Sequence, residues 1–155
     1  MIDGFVNKFM DNQIDNVVKI RKEYYQIFPE LNELMGKVNK NLNRDPFSAG
    51  VFLGVEKGKE FRPSIALLDM VGVRTEKLVV VDDKAEWLFL CGRDVFAQSV
   101  VDSRVKSGPA IVLNKRKEVL GYGDVVGDMA KRQQVYLKNI LDKGDFLRRE
   151  MRKRR

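Results

Sequence analysis

The chain has 155 residues, one cysteine, no histidine and a formal net charge of +7. A length of this order accommodates one ordinary domain or two small ones. A single cysteine excludes an internal disulfide, and no apolar run is long enough to span a bilayer. The absence of histidine removes the commonest general base and metal ligand, and neither a phosphate-binding loop nor a dinucleotide fingerprint is present. The charge is unevenly spread: residues 1–75 contribute +1 and residues 76–155 contribute +6, with seven basic and two acidic residues in Lys143–Arg155. Such an excess attracts polyanions, although a solvated basic tail has the same composition.

The N-terminal stretch lacks the basic region and unbroken apolar core of a signal peptide. Residues 14–28 read two ways. Ile14, Val17, Val18, Arg21, Tyr24, Tyr25 and Phe28 follow helical spacing, while VVKI and EYYQIF are β-favouring runs with RKE between them as a possible turn. From Pro29, the apolar positions Leu31, Leu34, Met35 and Val38 predict a helix, and NKNLNRDP predicts a loop. The pattern VFLGV, EKGKE, IALLDMV predicts a β-hairpin turning near Lys57-Gly58. A domain boundary is placed at Arg74–Glu76, giving domains over residues 1–75 and 76–155.

In the second half LVVV is a predicted strand. Asp82-Asp83 is a turn or helix cap, with Glu86 three residues beyond Asp83, and a short helix through Ala85, Leu88 and Phe89 is ended by Gly92. The runs DVFAQSVVD, AIVLN, VLGYGDVV and QVYLKNIL are four further predicted strands, and FLRREMRKRR a terminal helix. Short strands at this spacing predict a closed or nearly closed barrel. The fold class expected is α+β.

VVVDDKAEWLFLCGRDVFAQSVVD, SGPAIVLN and VLGYGDVV together resemble the PUA domain, a small RNA-binding pseudobarrel. SAGVFLGVEKGKEFRPSIALLDMVG and LDKGDFLRRE resemble, respectively, the end of the N-terminal domain and the C-terminal ending of archaeal members of the Nip-seven family, which assists large ribosomal subunit biogenesis. The resemblance implies an N-terminal α/β domain followed by a PUA pseudobarrel with a terminal helix. It also implies a non-catalytic, cytoplasmic RNA-binding protein that needs no cofactor or metal. Its partners would be structured RNA, large-subunit rRNA above all, and assembly or RNA-processing proteins engaged by the N-terminal domain. A translation or RNA-decay adaptor, and an RNA-modifying enzyme or accessory subunit, are the alternatives.

The candidate RNA-binding residues follow. Gly92 stands where PUA domains carry a glycine at the mouth of the RNA groove, and it also reads as a helix C-cap. Arg93 is placed to reach phosphate or solvent. Arg148, Arg152 and Arg155 are spaced for one helix face, with Arg149 adjacent. Cys91 reads as a buried apolar filler and Trp87 as a packing residue between the domains, with base stacking as the alternative. Lys115, Arg116 and Lys117 read as a solvated turn. Tyr122, between two glycines, reads either as a barrel residue or as a surface aromatic.

Overall fold

The computed structural model describes residues 1–42 and 48–153, with side chains described over 1–38 and 48–149. Two compact units emerge, Met1–Met70 and Val71–Arg155.

In the first unit, α1 (Ile2–Val6), β1 (Val17–Ile20), β2 (Glu23–Gln26), α2 (Pro29–Leu42), β3 (Val51–Lys57) and β4 (Glu60–Pro63) follow in order. The strands form an antiparallel meander, β1-β2-β3-β4. The ambiguous residues 14–28 are therefore strands. Arg21, at φ 57°, turns the chain between β1 and β2. The apparent helical periodicity arose because the sheet buries residues on both faces. Tyr24 packs edge-on against Phe61, which in turn meets Phe5 of α1. Its neighbour Tyr25 joins Ile20 and Ile27 under Leu31 and Met35 of α2. Adjacent strand residues point to opposite faces, so two consecutive tyrosines are buried only when both faces are covered.

The hairpin does turn at Lys57-Gly58, but its return strand is Glu60–Pro63. IALLDMV, expected to be that strand, begins α3 (Ile65–Arg74) instead. The Ser64 hydroxyl accepts a hydrogen bond from the Leu67 amide at 3.1 Å, an N-terminal cap. Leu67, Leu68 and Val71 are fully buried at helical spacing. A seven-residue apolar run has no intrinsic preference strong enough to resist that cap.

The second unit contains β5 (Leu78–Val81), α4 (Asp83–Leu90), β6 (Val95–Phe96), a 3₁₀ turn (Ala97–Ser99), β7 (Val100–Ser103), β8 (Gly108–Leu113), β9 (Val119–Val125), β10 (Val135–Asp142) and α5 (Lys143–Lys153). The expected continuous strand over DVFAQSVVD is thus broken into β6, the turn and β7. The break has a topological purpose. The strand order is β6-β10-β9-β8-β5-β7, so the two halves of this segment lie at opposite edges of one sheet. Only a curled sheet lets nine consecutive residues serve both edges, and the result is a nearly closed barrel. The β5–β8 pair is parallel; the others are antiparallel. Phe89 of α4 plugs the barrel, fully buried among Val79, Val81, Val112, Leu120 and Leu137. At Gly121, φ is 156° and a Cβ would lie 2.1 Å from the Leu141 carbonyl oxygen, so only glycine admits β10 at that distance. The mixed helices and antiparallel-rich sheets are the α+β class expected.

Candidate nucleic-acid interface

The site is built around the end of α4. Asp82, rather than Asp83, caps this helix: its Oδ1 accepts from the Ala85 amide at 2.8 Å. Ala85 and Phe89, four residues apart, face the barrel. The helix ends when the Gly92 amide donates to the Phe89 carbonyl at 2.9 Å and the Arg93 amide to that of Leu88 at 3.0 Å. These two bonds make a Schellman termination, which requires the left-handed backbone that Gly92 adopts at φ 86°. Gly92 and Arg93 are exposed at the resulting corner.

Cys91 is also exposed, which corrects the expectation of a buried filler. At 3.6 residues per turn, positions two before and two after buried Phe89 lie about 160° round the helix from it. Trp87 and Cys91 occupy those positions, and Trp87 is 66% exposed.

Below the corner, Asn139 of β10 ties the turn together. Its Nδ2 donates to the Phe89 carbonyl at 2.8 Å, and its own amide donates to Asp94 Oδ1 at 2.9 Å. Arg148 ties the same turn to α5. One guanidinium nitrogen donates to the Leu90 carbonyl, and the other lies 3.1 and 2.8 Å from the two carboxylate oxygens of Asp142. Asp142 is 2% exposed and also caps α5 through the Asp145 amide at 2.9 Å. The hydrogen bond to Asp142 raises the Arg148 pKa further above its already high value, so the guanidinium is permanently charged. A Cβ placed on Gly92 would lie 3.4 Å from this guanidinium. Arg148 therefore sits directly behind the glycine corner, held by internal acceptors. Arg149 pairs with Asp145 one turn earlier on α5. The side chain of Arg152 and the whole of Arg155 lie outside the described residues.

In front of the corner, Leu88, Gly92, Arg93, Asp94, Phe96 and Val135 line an open groove of about 540 Å³. Phe96 is 43% exposed and supplies an aromatic face. Arg93 is the one described cation in this lining; it is exposed, as are Lys131 and Arg132 of the β9–β10 connection and Lys138 within β10, and none of the four forms an ion pair with a described residue. The turn at 115–117 differs: Lys115 lies 3.2 Å from Asp83, and Arg116 3.0 Å from Glu118. Its charge is largely balanced locally. Sequence reasoning missed Phe96, Lys131, Arg132 and Lys138. Phe96 falls inside an apolar run in which nothing separates an outward from an inward residue, and the cations are scattered along the chain.

No group of side chains among the described residues has the composition of a metal site. No described helix is long and apolar enough to cross a membrane.

The barrel, with its glycine-ended helix and terminal helix, defines a PUA domain, and residues 77–151 match the UPF0113 PUA domain. A UPF0113 protein from Archaeoglobus fulgidus is 32% identical over 138 residues, covering 84% of this chain and 75% of that protein. The chain belongs to the UPF0113 family. The structure of a conserved PUA domain protein from Thermoplasma acidophilum shares the fold with a TM-score of 0.58 at 18% identity, covering 96% of this chain and 91% of that one. A hypothetical protein from Pyrococcus horikoshii matches 59% of this chain and 62% of its own, at 21% identity and a TM-score of 0.47. PUA is an RNA-binding fold, so RNA is the class of partner implied.

Proposed function

We propose that this protein is a non-catalytic RNA-binding factor of the Nip-seven kind, acting in assembly of the large ribosomal subunit. The observation that carries the RNA-binding part is the groove before Gly92. An exposed aromatic, an apolar floor and an exposed arginine without an ion pair to a described residue meet there at a corner free of Cβ. Phe96 offers its ring to an unpaired base, Arg93 and Lys138 meet phosphates, and Gly92 allows close approach of the backbone. Phosphate contacts supply affinity without sequence information, so specificity comes from RNA shape and unpaired bases. The N-terminal unit, nearly neutral in charge, takes the role of binding protein partners. The order of an N-terminal α/β unit followed by a PUA domain supports the assembly role, as does the resemblance of residues 48–72 and 141–150 to Nip-seven members.

The test is titration of the full chain with rRNA fragments and single-stranded oligonucleotides over a range of salt. Arg93→Ala is expected to lower the salt slope of log K by about 0.7–0.9 per phosphate that it no longer neutralises. Phe96→Ala is expected to weaken binding by about 1–3 kcal/mol with the slope unchanged. Wild-type affinity in both variants would remove the groove from consideration. For the cellular role, the protein is expected with precursor large-subunit particles. Recovery with mature ribosomes or a nuclease complex would favour the adaptor reading. Turnover of precursor rRNA, abolished by changing one carboxylate, would overturn the non-catalytic assignment.

A further inference from the structure

A second hollow lies on the same barrel, across the β9–β10 connection from the groove. Ser103 at the end of β7 and Arg104, Val105 and Lys106 of the β7–β8 connection form one wall, Asp128 and Met129 of the β9–β10 connection the other, and Tyr136 the base, around about 520 Å³; Arg104 is already paired with Glu76. Cavities of this size hold small molecules and single nucleotides. Val135 lines the groove and its neighbour Tyr136 lines the hollow, so β10 presents one to each face at its entry.

Both walls are held in place before any ligand arrives. The Tyr136 hydroxyl donates to the Val105 carbonyl at 2.8 Å and lies 2.7 Å from Ser103 Oγ, which fixes the first connection. The amides of Val126 and Gly127 both donate to the Tyr136 carbonyl, at 2.9 and 3.0 Å. Asp128 Oδ1 accepts from the Ala130 amide at 2.9 Å, which fixes the second. A preorganised site loses little entropy on binding.

The functional groups that remain available are of three kinds. Met129, 43% exposed, and Val105 give apolar surface on opposite walls. Lys106 is exposed and forms no ion pair with a described residue. Asp128 Oδ2 accepts no hydrogen bond from a described residue and is open to an N–H or O–H donor. Apolar walls suit a flat base, an ammonium suits a phosphate, and a carboxylate suits an exocyclic amine or ribose hydroxyl. We propose that this hollow takes one unpaired nucleotide of a bound RNA strand, as a second subsite beyond the Gly92 groove.

A nucleotide within a strand, rather than a free one, follows from what lies between the two sites. Lys131 and Arg132 are on the connection that separates them, exposed and without an ion pair to a described residue. The Gln98 amide donates to the Arg132 carbonyl at 2.9 Å, and the Ala97 amide to that of Gln134 at 3.0 Å. These bonds pin the connection against the segment that follows Phe96. A phosphate backbone leaving the groove over this segment meets both cations before it reaches the hollow. The proposal rests on RNA entering the groove, but its site and residues are separate.

The test compares four-nucleotide and twelve-nucleotide RNAs, and free adenosine and uridine monophosphates, on the full chain. The double variant Lys106→Glu with Met129→Asp changes two exposed side chains; circular dichroism confirms the fold. It is expected to bind the longer RNA about tenfold more weakly and the shorter one unchanged, since only the longer strand reaches the hollow with a base to stack and a phosphate to neutralise. Photocrosslinking of wild-type protein to thiouridine-substituted twelve-nucleotide RNA, with the modified peptide identified by mass spectrometry, is expected to mark residues 126–136. It decides the matter alone should the double variant not fold. Undiminished affinity of a folded double variant for the longer RNA, or absence of that crosslink, would overturn the subsite. Saturable binding of a free monophosphate, lost in the double variant and unaccompanied by any effect of RNA length, would overturn the strand assignment. Loss of the shorter RNA in Arg93→Ala, with the crosslink retained, confirms the two sites as separate. Normal binding of both RNAs by Arg93→Ala and by Phe96→Ala, while the crosslink persists, would instead remove the groove and leave the hollow standing.

Discussion

Replacing Arg148 by Gln separates two roles for a cation that is hydrogen-bonded to both Asp142 and the Leu90 carbonyl. As a phosphate ligand its loss would lower RNA affinity and salt dependence and leave the fold intact. The geometry assigns the opposite. The Asp142 side chain is 3% exposed and that of Arg148 37%, and the two are joined by hydrogen bonds at 3.1 and 2.8 Å. Without the guanidinium, the buried carboxylate keeps one short bond, from the Asp145 amide, and a 3.4 Å approach from Asn139. The Leu90 carbonyl at the end of α4 also loses its cation. Breaking a fully buried pair costs about 3–5 kcal/mol. Because Arg148 is more than one-third exposed, water reaches the orphaned groups, and the expected cost falls to about 2–3 kcal/mol. Urea unfolding of wild type, Arg148→Gln and Arg148→Lys measures it. Lys restores the charge but not the two-sided fork, so it recovers part of the stability. RNA titrated against the folded Gln variant is expected to bind more weakly with an unchanged salt slope, because the Gly92 corner loosens. Unaltered stability, together with a slope lowered by about 0.7–0.9, would refute the structural role and make Arg148 a phosphate ligand.

Three further outcomes follow from the same geometry. Gly92→Ala places a Cβ on a left-handed residue and is expected to cost about 1–2 kcal/mol in thermal or urea unfolding. The same variant should weaken binding of a preferred RNA more than that of a random one, as measured by parallel titrations. Phe89→Ala empties the centre of the barrel and is expected to destabilise the second unit by about 3–5 kcal/mol, read from urea unfolding followed by amide exchange in β5, β8 and β9. In the first unit, hydrogen bonds from Lys19 and Tyr24 hold the Glu56 carboxyl below its ordinary value of 4.5. A depressed folded value means stability that is present above about pH 4.5 and lost as the pH falls through the folded value. Glu56→Gln is therefore expected to flatten the acid limb of the stability curve, and a variant with an unchanged limb would show that the Lys19–Glu56–Tyr24 cluster is neutral to folding.

The barrel was legible in the sequence because its signals are local. β-branched runs, the Asp82 region, a helix-ending glycine and paired glycines in β9 each determine their own few residues, and their order suffices to suggest the fold. Composition likewise determined the charge asymmetry and the lack of histidine chemistry. Where a short segment's state depends on what covers it, local pattern failed. Residues 14–28 carry helical spacing because both faces of their sheet are buried, and IALLDMV became a helix through the hydroxyl of the preceding serine. The site divides in the same way. The helix end at Gly92, with Arg93 after it, was read from sequence, since a helix terminus is a local event. The arginines of α5 were also noticed, but whether an arginine faces solvent or internal acceptors is decided by packing: Arg148 reaches Asp142 six positions back and the Leu90 carbonyl 58 positions away. The groove beside Phe96, and the hollow formed by Lys106, Met129 and Tyr136, exist as sites only because the sheet curls until distant connections meet. Charge and pattern are properties of a chain, whereas a cavity and the pairing of an ion are properties of its closure.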